Sequence, residues 1–195
     1  MTARPTFLFA PGAGAPSTSA WMIAWRARLE TLGEVVTFDY PYMRAGRRMP
    51  DRLPALLAAH KEALASARAR AAAPIFLAGK SMGGRVGCHL ALEEQVAGVI
   101  CFGFPLRSVS GALRDEVLVA LRTRALLLQG SRDELCPLDL LADVRARMIA
   151  PNTLLVVEGG DHSLVLSAAE RKATGTTQAE SDARVLAAIA AFVAA

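Results

Sequence analysis

Short, continuous apolar runs alternate along the chain with longer stretches whose apolar positions recur at helical spacing. The runs are Thr6 to Ala10, Val35 to Asp39, Ile75 to Ala78, Val96 to Phe102, Ala125 to Gln129 and Thr153 to Val157. They lack the every-second-residue alternation of a half-exposed strand, which is the pattern of strands buried on both faces. Between them, helices are predicted over Ala20 to Leu32, Arg52 to Ala72, Met82 to Gln95, Leu138 to Met148 and Asp182 to Ala195. Ser17 and Ser19 are candidate caps for the first helix, Gly33 its stop, and Pro74 ends the second. Strand–helix alternation of this kind predicts an α/β fold. The expectation is a mostly parallel sheet of about six strands, helices on both faces, and ligands bound at the carboxyl ends of the strands. Ser167 to Ser181 is the most polar stretch and is expected to be the most mobile, with no element assigned to it.

Composition narrows the class without naming the chemistry. With 195 residues, 53% of them hydrophobic and 21% charged, the chain suits one globular domain, residues 1–195, with no visible repeat or linker. Gln95 to Leu106 and Val185 to Ala195 are the longest apolar candidates, both too short to span a bilayer. Phe7 to Ala10 is too brief for a secretory signal and meets Pro11 at once, so a soluble, cytoplasmic protein without a membrane partner is expected. The net charge of +4 is dispersed mostly along helices, which reads as solvated faces and predicts no nucleic-acid partner. One basic cluster, Arg44, Arg47, Arg48 and Arg52, stands apart. Cys88, Cys101 and Cys136 form no C-x-x-C pair, so reduced thiols are expected and neither a disulfide framework nor a zinc site; the sequence as a whole implies no metal or organic cofactor.

The stretch from Ile75 to Arg85, IFLAGKSMGGR, carries two competing signals. Gly79-Lys80-Ser81 is the tail of a phosphate-binding loop, and Gly79 to Gly83 is a complete G-x-S-x-G, the turn that presents a nucleophilic serine. A phosphate loop needs its first glycine where this chain has Pro74, and a flexible run where it has the apolar Ile75 to Ala78. The serine turn explains every position: a strand enters, Ser81 sits at the tip, and Gly83-Gly84 let a helix start close beneath.

A serine hydroxyl needs a base, and the base an orienting acid, in the chain order Ser, Asp or Glu, His. His60 falls mid-helix before the serine, where a solvated or satisfied role is expected, and His89 is about two helical turns past it. His162, just after the last strand, has the right order and the right edge. Asp133, after the strand Ala125 to Gln129, is the candidate acid, with Glu134 in reserve and Asp161 read as a turn residue. The amide of Met82 and those of Gly12, Ala13 and Gly14, in the loop after the first strand, are the candidate oxyanion hole. Gly12-x-Gly14 also imitates a dinucleotide fingerprint, but its third glycine position holds Ser17 and Pro16 intrudes.

With these residues in place, FLFAPGAGAPSTSAWM, FDYPYM…GRRMPD and GKSMGGR resemble the α/β-hydrolase superfamily. They look most like a compact group of bacterial dienelactone-hydrolase-like proteins and the hydrolase-like domains of eukaryotic testis-expressed and non-specific-lethal complex proteins. The resemblance implies that fold without its first hairpin and maps nucleophile, acid and base onto Ser81, Asp133 and His162. Dienelactone hydrolases proper carry a cysteine nucleophile where this chain has Ser81, so the resemblance does not supply the substrate. The combined expectation is a serine esterase or thioesterase for small substrates, with no large lid. The alternative is a non-catalytic interaction domain on the same fold, as some eukaryotic relatives are. Arg47 and Arg48 follow a strand on the active-site side, where they either hold an anionic substrate tail or pair with Asp51. Lys80 either favours acidic substrates or is a surface residue.

Overall fold

The computed structural model describes residues 4–70, 73–108 and 110–195. Six strands, β1 (Thr6–Ala10), β2 (Glu34–Thr37), β3 (Ile75–Lys80), β4 (Gly98–Phe102), β5 (Ala125–Gly130) and β6 (Asn152–Val157), form one sheet. Its order is β2-β1-β3-β4-β5-β6, and every pairing is parallel. The helices are α1 (Ala20–Leu29), α2 (Pro41–Arg44), α3 (Leu53–Arg70), α4 (Met82–Leu90), α5 (Glu116–Ala120), α6 (Leu138–Arg147), α7 (Ala168–Thr174) and α8 (Gln178–Ala194).

Strand side chains alternate between two cores, and the sequence divides its residue types between them. Leu8, Leu77, Val99, Cys101 and Leu127 face α3, α4, α5 and α6. Phe7, Phe9, Phe76, Phe102 and Leu128 face α1 and α8. The second face is therefore the aromatic one. Phe102 packs 4.9 Å from Trp25 and 5.6 Å, edge-on, from Trp21, ring centre to ring centre. A third cluster of Tyr40, Tyr42, Leu56, Met82 and Val86 closes the carboxyl end of the sheet.

Element boundaries differ from expectation where side chains intervene. β2 ends at Thr37 instead of Asp39, because Asp39 leaves the sheet to accept the Ser17 amide at 2.6 Å. β4 begins at Gly98 rather than Val96. β3 runs two residues further than predicted, through Gly79 and Lys80. α1 stops at Leu29, after which Thr31 and Leu32 donate to Arg28 and Leu29 in tightening turns. α4 ends at Leu90, after which Leu92 and Glu93 donate to His89 and Leu90 in tightening turns. α3 is described to Arg70, and the predicted Ala71 and Ala72 lie outside the described residues. The polar stretch Ser167 to Ser181, for which no element is predicted, holds α7 and the start of α8. Ser167 caps α7 by accepting Glu170 N–H, Gly175 closes it at φ 69°, and Thr177 and Glu180 form a reciprocal capping box for α8. No helix among the described residues is long and apolar enough to cross a membrane.

Candidate active site

Ser81 stands between the last residue of β3 and the first of α4, at φ 50° and ψ −114°. That backbone state is strained for a residue with a Cβ, by about 1–3 kcal/mol, and persists only where the surroundings enforce it. The enforcement comes from close packing. A Cβ on Gly79 would lie 2.3 Å from Gly84 N, and one on Gly83 2.6 Å from the carbonyl oxygens of Ala10 and Pro11. The Ser81 amide meanwhile donates to Phe102 O at 2.9 Å, so the turn is also tied to the end of β4.

The loops after β5 and β6 bring the other two candidates to the same edge. His162 Nε2 is 2.8 Å from Ser81 Oγ, and His162 Nδ1 is 2.7 Å from Asp133 Oδ2. Asp133 is 4% exposed. Burial on its own would push its carboxyl pKa up. The hydrogen bond and charge of His162, the Gln129 amide and the Leu135 N–H outweigh burial and hold it below the usual carboxylate range. Glu134 is exposed, whereas the Asp161 carboxylate accepts the amides of Ser163 at 2.7 Å and Val165 at 2.9 Å and shapes the turn that carries His162.

The loop after β1 lies directly beside the serine: a Cβ on Gly12 would be 3.6 Å from Ser81 Cβ. Tyr42 donates to Ala13 O at 2.9 Å and so fixes the rotation of that loop. Met82 is the first residue of α4, and its amide has no intrahelical acceptor. Gly12, Ala13 and Gly14 join Trp21, Met22, Lys80, Ser81, Leu135 and His162 around a cleft of about 370 Å³.

Four residues here make contacts that carry no sequence signal of their own. Gln129, fully buried, donates to Asp133 Oδ2 and accepts Phe104 N–H. Tyr42 holds the Ala13 loop, as above. Trp21 Nε1 donates to Ser163 O at 2.9 Å. Lys80 is 9% exposed rather than a surface residue, and its ammonium donates to the His162 carbonyl.

Other candidates lie elsewhere. Arg47 pairs with Asp51 at 2.8 Å, Arg48 is exposed, and neither lines the cleft. His89 faces Arg85 at 3.4 Å. His60 is not solvated: α3 buries it completely against the third core cluster, where Tyr40 Oη lies 3.2 Å from Nδ1 and burial lowers its pKa to about 3. β3 runs through Gly79 and Lys80, so no loop of free amides exists there to cradle a phosphate.

Residues 3–194 match the family model for the alpha/beta hydrolase domain. An alpha-beta serine hydrolase homologue from Coxiella burnetii is 20% identical, with 84% of this chain and 79% of that one covered at a TM-score of 0.70. A structure of the metagenome-derived lipolytic enzymes LipS and LipT is 17% identical, covering 99% and 94% of the two chains at 0.72. A dienelactone hydrolase from Anabaena variabilis is 18% identical, covering 92% and 85% at 0.66. At such identities the likeness is one of fold.

Proposed function

The chain belongs to the alpha/beta hydrolase domain family, and on that premise we propose that it is a serine hydrolase of small carboxylic esters or thioesters. The observation that carries this reading is the unbroken row from Ser81 Oγ through the His162 ring to Asp133, with steps of 2.8 and 2.7 Å. In the proposed reaction Ser81 Oγ attacks the acyl carbon while its proton passes to His162 Nε2. Asp133 holds the ring with Nδ1–H toward itself and balances the imidazolium that forms. The amides of Met82 and of the Gly12–Gly14 loop receive the oxyanion. Collapse returns the proton from His162 to the leaving alcohol or thiol and leaves an acyl-Ser81. Water, deprotonated by His162, then adds to that carbonyl, and the acid departs as Ser81 regains its proton.

Trp21, Met22 and Leu135 in the cleft wall support an apolar acyl group, and the cleft's modest size supports a small one. The lipolytic and dienelactone-hydrolysing neighbours accord with ester chemistry. Three unpaired, buried thiols fit a reducing compartment such as the cytoplasm.

Intact-mass spectrometry after exposure to a fluorophosphonate tests the reading. A single adduct on the native protein, absent from Ser81→Ala, is the expected result. Folded native protein that takes up no adduct overturns it and leaves the chain as a non-catalytic domain on this fold.

A further inference from the structure

We propose that Lys80 is a positioning residue for His162, its charge committed inside the protein rather than offered to a substrate. The inference rests on the serine-hydrolase reading above. Two consecutive carbonyls of the His162 loop are each held by a donor from the aromatic side of the sheet. The Lys80 ammonium donates to His162 O, and Trp21 Nε1 donates to Ser163 O at 2.9 Å. The two donors also touch: Lys80 Nζ lies 5.6 Å from the Trp21 ring centre, within cation–π range.

Lys80 lines the cleft, yet it is 9% exposed and forms no carboxylate pair among the described residues. A buried ammonium is expensive unless it finds partners. Here the partners are a carbonyl of the loop that carries the base and the face of a ring, on α1, that is itself bonded to that loop. The contact spans the strand that ends at the nucleophile and the loop that ends at His162. It therefore bears on the 2.8 Å step between Ser81 and His162. An ångström of misplacement in such a step costs roughly 100-fold in rate.

Burial lowers the Lys80 pKa to about 8, and the charged groups facing it, Asp133 after β5 and Asp161 after β6, offset this only in part. Loss of that proton removes the charge-assisted bond and the attraction to Trp21. The clamp is therefore fully charged only well below pH 8 and weakens as pH rises through it.

The test is Lys80→Met, which keeps an unbranched apolar stem but no ammonium, assayed on a neutral aryl ester and by the rate of fluorophosphonate labelling. The expected result is a fall in kcat of about 10–100-fold with KM within about 3-fold. In addition, the decline of wild-type kcat above pH 8 should be missing from the variant. A KM increase with kcat unchanged overturns the proposal, since that marks a substrate contact; so does a kcat within twofold of wild type. Wild type that labels, together with Lys80→Met that labels equally fast, defeats the Lys80 proposal alone. Wild type that never labels defeats the serine-hydrolase reading. If Lys80→Met does not fold, Lys80→Gln takes its place, and a KM increase with kcat unchanged overturns the proposal there as well.

Discussion

Replacing Gln129 with leucine isolates the support beneath the candidate acid. Gln129 is fully buried at the end of β5, where its amide donates to Asp133 Oδ2 and its carbonyl accepts Phe104 N–H at 3.1 Å. Leucine fills similar space but provides neither bond. The lost bond to a charged acceptor is worth about 1.5–3 kcal/mol, and the stranded Phe104 amide costs a further ~1–3 kcal/mol. The added apolar burial returns about 1 kcal/mol. The net loss is about 1.5–5 kcal/mol, which at ~2–4 °C per kcal/mol for a chain of this size lowers Tm by roughly 3–20 °C. Activity suffers less, because Asp133 keeps its bonds to His162 and to Leu135 N–H. A kcat loss of about tenfold or less is expected, against roughly 10⁴-fold for Asp133→Asn, which sets the wrong ring tautomer. Thermal unfolding by circular dichroism and turnover of an aryl acetate measure the two effects. A Tm within 2 °C of wild type refutes the reasoning, as does a kcat loss equal to that of Asp133→Asn. Gln129→Glu extends the test. Burial beside Asp133 raises the new carboxyl's pKa, so the variant's stability relative to wild type should be best in acid and fall as pH rises.

Gly103 has φ 62°, and a Cβ there would sit 2.3 Å from His162 O, so Gly103→Ala should displace the base and reduce kcat at least tenfold while Ser81 labelling slows in parallel. Unfolded His60 gains a proton below its ordinary pKa of 6.5, whereas folded His60 resists protonation until about pH 3, so stability should decline as pH falls across that window. Urea midpoints measured from pH 7 to 4 should fall more steeply for wild type than for His60→Leu. Because Arg47 and Arg48 stand outside the cleft, the double change to alanine should leave kcat/KM within about twofold for both neutral and carboxylate-bearing esters. Selective loss on the anionic ester would return those arginines to the binding site.

The fold was legible where a strand is apolar on both faces, because β1, β3, β4 and β5 cross the middle of the sheet and every position must be buried. Legibility failed where side-chain hydrogen bonds decide. Phe38 and Asp39 look like strand, but Asp39 turns away to hold Ser17 N. Polar composition hid α7 between Ser167 and Gly175, although Ser167-x-x-Glu170 and Thr177-x-x-Glu180 both carry the spacing of helix starts. Composition reports whether a stretch can be buried; cap spacing reports where a helix begins, and here the second signal was the stronger.

Motif spacing and chain order singled out Ser81, Asp133 and His162, and these are the residues the fold brings within hydrogen-bond reach. The contacts that set their geometry were less visible. Lys80 meets a carbonyl 82 positions away, and Trp21 one 142 positions away. Even so, the side of the sheet that Lys80 occupies was available in principle. Side chains of a strand alternate, so a residue two past Ala78 and four past Phe76 shares their face if the strand continues through it. Phe76 and Ala78 lie in the aromatic core beneath α1, so the count leads Lys80 toward Trp21. What blocked the inference was ending β3 at Ala78 and assigning Gly79 and Lys80 to the turn. Only Ser81 turns; its lysine neighbour is still strand, and that single boundary separates a surface charge from one buried against the candidate base.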